Sequence, residues 1–211
     1  MFGIENYSVF ILSAVALNLV PGADTMYILG SSMSNGRNAG ILSALGISSG
    51  CIVHTLMAAL GLSVLLSQSA LAFNLVKYIG AAYLVYLGVQ SFRSKSSLTV
   101  EKDQTARNSN KKIFLQAVMT NVLNPKVALF FLAFLPQFID PANTYGAVPF
   151  LLLGLTFVFT GTIWGIILAL CTSYFAGKLN RKLKTSGLLN KIAGVIYMGL
   201  GLNLLRVKLV G

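Results

Sequence analysis

Apolar residues in this chain run on for long stretches without the short polar alternation of a soluble domain, and the polar residues gather in a few places between them. A helix must offer about 20 mostly apolar residues to cross a hydrocarbon layer about 30 Å thick, because it rises about 1.5 Å per residue. Six stretches reach that length: Tyr7 to Met33, Ala39 to Leu66, Phe73 to Phe92, Ile113 to Ile139, Val148 to Phe175 and Leu188 to Leu205. The pattern predicts an all-α integral membrane protein of six transmembrane helices, forming one transmembrane domain over residues 1–211. The first span is expected to stay in the mature protein, because Met1 to Asn6 holds no Lys or Arg and the apolar run exceeds that of a signal peptide. Ser94 to Asn110 is the one linker-like stretch.

Composition agrees. Hydrophobic residues make up 55% of the 211 and charged ones 10%, against roughly 25% charged in soluble domains. Soluble, collagenous and disordered classes are excluded, and with only Cys51 and Cys171 so is a disulfide scaffold. A net charge of +11 on a soluble chain would suggest a nucleic-acid partner. None is expected here, because apolar runs leave no polar surface to carry one; the chain's environment is the lipid bilayer. The charge reads instead as topology, since short loops rich in Lys and Arg stay cytoplasmic. Arg93, Lys95, Lys102, Arg107, Lys111 and Lys112 follow span three, Lys178, Arg181, Lys182, Lys184 and Lys191 follow span five, and Arg37 follows span one. Both termini are then expected to be extracytoplasmic, although Arg206 and Lys208 vote the other way.

The halves of the chain resemble one another. Span three reads Lys77-Tyr-Ile-Gly80-Ala-Ala-Tyr83 and span six Lys191-Ile-Ala-Gly194-Val-Ile-Tyr197. Span one carries Asn18-Leu-Val-Pro21-Gly22 and span four Asn121-Val-Leu-Asn124-Pro125, with a slip of one residue. Three spans is an odd number, so two copies must point in opposite directions: two inverted three-helix repeats, 1–93 and 113–211, around a basic cytoplasmic linker, 94–112.

Pro21 and Pro125 are expected to break helices one and four, because proline removes a backbone donor and clashes with the preceding turn. Freed backbone groups in lipid must then face protein or a watery cavity. Just beyond the prolines stand Asp24 and Lys126, the one acidic and the one basic residue deep in a span. An ionisable group there costs at least about 2.5 to 3.5 kcal/mol and marks a functional site by default. The two either pair with each other or serve a ligand. With Gly22 allowing close approach and the following half-helix presenting N-terminal amides, a zwitterion fits: carboxylate to the helix terminus or Lys126, ammonium to Asp24. Asn18, Asn121 and Asn124 either bond that ligand or tie helices together.

His54, the sole histidine, is either a proton relay or a packed imidazole bonding a helix carbonyl. With Cys51 nearby and no further ligand, it makes no metal site. Gly46-Ile-Ser48-Ser-Gly50 matches the G-x-S-x-G nucleophile pattern, but Ser48 and His54 lie about 120° apart around one helix and cannot meet. Gly36-x-x-x-Gly40, Gly46-x-x-x-Gly50 and Gly161-x-x-x-Gly165 read as close helix contacts, within the monomer or across a homodimer. No phosphate-binding loop of the Walker A type is present, so any uphill transport must draw on an ion gradient or a separate subunit, and no cofactor is expected.

Pro21-Gly22 followed by Asp24, Gly36-Arg37 with Gly40, Gly46 and Gly50, Gly80-Ala-Ala-Tyr83-Leu84 to Leu87-Gly88, Asn124-Pro125-Lys126, and Phe130-Phe131 leading to Pro136-Gln137-Phe138 run along nearly the whole chain. In these features it resembles the LysE/RhtB type amino-acid exporters of bacterial inner membranes. The resemblance implies a transporter, not an enzyme, exporting amino acids or close derivatives by proton antiport, with the Pro-Gly and Asn-Pro segments central. Threonine, homoserine, leucine and basic amino acids lie within the family's range; one buried Asp with one buried Lys suits a neutral zwitterion better than a dibasic one. An exporter of another small solute or cation, an intramembrane hydrolase and a structural membrane protein stand as alternatives.

Overall fold

The computed structural model describes residues 2–62, 109–140 and 142–175, with the single positions 75, 78, 79, 82, 85, 86, 89, 195, 198 and 199. Over these residues the chain is helical, without a strand. Helix α1 (Tyr7–Leu19) and α2 (Ala23–Asn35) meet at a bend of 51°. Helix α3 (Arg37–Met57) runs into a π-helical turn at Ala58–Leu62. Helix α4 (Asn110–Val122) and α5 (Pro125–Leu129) form a second bent pair, at 46°, in which α5 continues through a π-turn (Phe130–Phe134) and a 3-10 turn (Leu135–Phe138). Helix α6 is Val148–Phe175. Arg37–Leu62 and Val148–Tyr174 are each long and apolar enough to cross a membrane, and each bent pair is so if taken as one span. The protein is therefore a multi-pass membrane protein. These four spans are the first, second, fourth and fifth expected from sequence. The third and sixth, Phe73 to Phe92 and Leu188 to Leu205, the basic linker, and both Lys-x-x-Gly-x-x-Tyr matches fall outside the described residues except at those single positions.

The breaks form where the prolines stand, by two different routes. Pro21 lies in the linker Val20-Pro21-Gly22, between the last residue of α1 and the extended N-cap Gly22. Pro125 instead opens α5, where its missing N–H is no loss, and the Asn124 side chain caps that helix by accepting a bond from Lys126 N at 3.0 Å. Asn18 and Asn121 occupy the same place, one residue before the end of α1 and of α4. The one-residue slip between the halves reflects where each proline stands: Pro21 is the second residue past α1, inside its linker, and Pro125 the third past α4, where it opens the next helix.

Hydroxyls inside the apolar helices bond their own backbone one turn back, which is how Ser and Thr are tolerated away from water. Ser43 Oγ donates to Ala39 O at 2.8 Å, Thr55 Oγ1 to Cys51 O at 2.8 Å, and Thr162 Oγ1 to Val158 O at 2.7 Å. The largest core is aromatic: Phe10, Phe130, Phe131, Phe134, Phe138, Phe150 and Phe157 are all buried. At its N-terminal end the chain is tied down by an Ile4–Ile139 bridge, with Glu5 N donating to Phe138 O at 2.8 Å and Asp140 N to Gly3 O at 2.9 Å.

Two of the three small-residue motifs pack as expected, and they do so within the chain. A Cβ on Gly46 would lie 2.6 Å from both Ala117 Cβ and Phe114 O, and one on Gly165 would lie 3.0 Å from Ala44 Cβ. The Gly36-x-x-x-Gly40 reading needs correction. Gly36 has a φ of +83° with no neighbour within 4 Å, so it serves the turn between α2 and α3 and not a helix contact; Gly40 alone is packed, against Ser32 and Ala169. Gly46→Ala is expected to push α3 off α4, because the backbone oxygen of Phe114 cannot yield as a side chain would. A loss of about 1 to 3 kcal/mol should appear as a lowered unfolding temperature in detergent.

Candidate functional site

Both breaks open onto one cleft enclosing about 550 Å³, mouth included. Its polar lining comes from Asn18, Gly22, Asp24 and Thr25 beside the first break, Asn124 and Lys126 at the second, Ser48 and Cys51 on α3, and Trp164 on α6. Ile28, Ile47, Val158 and Leu168 supply an apolar wall.

The two half-helices hold each other reciprocally. Asp24, in the first turn of α2, accepts a hydrogen bond on Oδ2 from Asn121 Nδ2 at 2.9 Å, and Asn121 belongs to the last turn of α4. Lys126, in the first turn of α5, donates from Nζ to Leu17 O at 2.9 Å and Val20 O at 2.8 Å, at the end of α1. The Pro21 break removes the amide that would bond Leu17 O one turn on, leaving it a 3.2 Å bond from Val20 N, so the ammonium sits where a helix C-terminus favours a cation. The lysine stem passes beside Gly22, where a Cβ would lie in ordinary contact at 3.5 Å from Lys126 Cδ. Beside the two roles open in the sequence for Lys126, pairing with Asp24 or serving a ligand, the structure adds a third, satisfying the broken backbone.

Asp24 keeps a free valence. Its Oδ1 is buried without a hydrogen bond among the described residues, as is Asn124 Nδ2. The Asn124 amide faces the same carboxylate, and because its oxygen is committed to capping α5 its nitrogen is the atom left over. Trp164 Nε1 is a third such atom. A cleft bearing one unmatched acceptor that carries charge and two unmatched donors is complementary to a molecule that both donates and accepts.

The remaining residues singled out by sequence are distributed around this centre. Asn18 lines the cleft and donates from Nδ2 to Thr160 Oγ1 at 3.1 Å. Asn121, fully buried, stands behind Asp24, and Pro21 and Pro125 shape the breaks without lining the cleft. His54 is also outside the lining: its Nε2 lies 3.2 Å from Asn121 O, and its ring stacks on Phe131 at 5.7 Å. Of its two sequence readings this geometry is that of the packed imidazole, one layer behind the carboxylate. Ser48 Oγ bonds Ala44 O at 2.9 Å and lies 2.6 Å from Thr162 Oγ1, so hydroxyl and imidazole have different partners. Thr25, Ser48, Cys51 and Trp164 are the polar cleft residues that sequence reasoning did not assign to it. For Trp164 a signal existed, the sole tryptophan of the chain standing mid-span.

Comparison with known proteins adds three findings. The family model described as LysE type translocator matches residues 15–208. An uncharacterized membrane protein of Vibrio cholerae serotype O1 is 35% identical over 202 residues, covering 94% of this chain and 96% of its own length, and an uncharacterized membrane protein of Bacillus subtilis is 35% identical over 203, covering 92% and 95%. A leucine efflux protein of Salmonella choleraesuis is 29% identical over 210 residues, covering 98% of both chains. No solved structure matches.

Proposed function

The chain belongs to the LysE type translocator family, and on that premise we propose that it is a secondary active exporter of neutral amino acids, exchanging them for protons across the bacterial inner membrane. The observation that carries this reading is Asp24: a buried carboxylate on the cleft, with one oxygen fixed by Asn121 and the other unmatched. An ammonium group donates to that oxygen, and so does a proton bound to it. The two exclude one another at one atom, and exclusion is what turns a shared site into an exchanger. A proton arriving from the acidic side displaces the ammonium; its departure on the other side restores the carboxylate for the next substrate.

The substrate carboxylate is assigned to the first turn of α2, whose free amides begin at the N-cap Gly22 beside the cleft. One carboxylate and the apolar wall of Ile28, Ile47 and Leu168 suit a neutral side chain, since among the described residues no second acidic one lines the cleft for a dibasic substrate. The name of the Salmonella relative, leucine efflux protein, supports the same choice. The reciprocal construction of the two breaks supports the inverted-repeat arrangement, in which one half-helix pair rocks against the other, and the basic loops support both termini outside.

Cells overexpressing the chain and challenged with a panel of toxic amino-acid analogues test the reading. Resistance to neutral aliphatic analogues is expected. Unchanged sensitivity to every amino-acid analogue, with resistance to some other solute or cation, would favour the alternative exporter.

A further inference from the structure

The exporter reading leaves the indole nitrogen of Trp164 unused. Trp164 stands near the middle of α6, flanked on the same helix by Gly161 and Gly165. A Cβ on Gly161 would lie 3.2 Å from Asn18 Oδ1, and one on Gly165 would lie 3.2 Å from Ile28 Cδ1, so these glycines draw α6 against the two helices of the first break. The indole between them is thereby brought onto the cleft that Asp24 also lines.

Tryptophan in membrane proteins usually sits at the membrane surface, where its N–H meets water or headgroups. Here it is placed at mid-span, and its Nε1 is buried with no hydrogen-bond partner among the described residues. An unmatched N–H at that depth is costly and calls for an acceptor. The indole nitrogen only donates, so whatever completes it must present an oxygen or another acceptor. Lys126, the obvious cationic candidate for an anion, already donates to Leu17 O and Val20 O.

We propose that the Trp164 indole N–H is the side-chain donor that receives the carboxylate of the transported molecule, while Asp24 receives its ammonium. The proposal rests on the exporter reading and deepens it: the site recognises the α-carboxylate itself, through one neutral donor on α6 beside the amides of α2. A neutral donor binds the carboxylate without a lysine or arginine to hold it, which keeps the anion releasable once Asp24 gives up the ammonium.

Trp164→Phe keeps an aromatic ring and removes the donor. For a transported neutral amino acid the variant is expected to raise KM roughly tenfold, the loss of one hydrogen bond to a charged group. For the corresponding amino-acid amide, whose carboxylate is gone, the change should be less than half as large. Because Trp164 is the sole tryptophan, the wild-type protein supplies a second readout that needs no mutation: the amino acid should shift intrinsic tryptophan emission saturably, and an amine lacking the carboxylate should not. Unchanged KM in Trp164→Phe, equal losses for acid and amide, or substrate binding that leaves the emission untouched would overturn the assignment while the exporter reading stands. A wild-type protein that moves no amino acid overturns both.

Discussion

Asp24→Asn is expected to abolish proton-coupled efflux and to lower substrate exchange about 100-fold, while leaving the folded protein intact. The substituted side chain has the same shape, and its amide oxygen can still accept from Asn121 Nδ2, which now bonds Asp24 Oδ2 at 2.9 Å. What is lost is the charge at Oδ1. A hydrogen bond to a charged group contributes about 1.5 to 3 kcal/mol, which corresponds to roughly 10- to 100-fold in affinity. The loss of coupling is complete, because an amide cannot take up and release the proton that competes with the ammonium. Initial rates of labelled amino-acid exchange, with detergent thermal stability as the control for folding, provide the check. Transport undiminished in this variant would remove Asp24 from the mechanism.

The second large effect concerns Lys126 and points to stability first. Lys126→Met keeps the length of the side chain and strips its donors. The carbonyls of Leu17 and Val20, now bonded at 2.9 and 2.8 Å, are then left without that partner beside an apolar core that includes Val127 and Phe157. Leu17 O keeps its bond from Val20 N while Val20 O loses its ammonium partner, and a buried polar group left unmatched costs about 1 to 3 kcal/mol, read as a marked fall in unfolding temperature. Transport should fall with it, because the bend between α1 and α2 places Asp24. An arginine at the same place should rescue part of the stability. A Lys126→Met protein as stable as wild type, but unable to bind substrate, would show that the ammonium serves the ligand and not the backbone.

These two residues also show what the sequence makes legible. Their depth in apolar spans, each next to a proline, is enough to single them out, since an isolated charge in hydrocarbon needs a reason. Their partners are not readable, because Asn121 and Leu17 lie far along the chain and meet them only through helix packing. Helix α6 gives the sharpest contrast: an unbroken apolar run marks it as Val148–Phe175, yet a helix apolar all round carries no periodicity to say which face meets the cleft, and Trp164 goes unnoticed. Gly36 is misread for a related reason, since spacing alone does not distinguish a glycine needed for its backbone from one needed for its size. The packed place of His54 behind Asn121 was among the sequence readings, and geometry supplies the preference.

The exchange of proton for substrate at Asp24 is most directly tested in proteoliposomes loaded with a labelled neutral amino acid and placed in acidic medium. The account predicts that efflux accelerates under this inward proton gradient, slows when the gradient is reversed, and is accompanied by acidification of the lumen that depends on the amino acid. Efflux at one rate under both gradients, with no substrate-dependent proton entry, would contradict it.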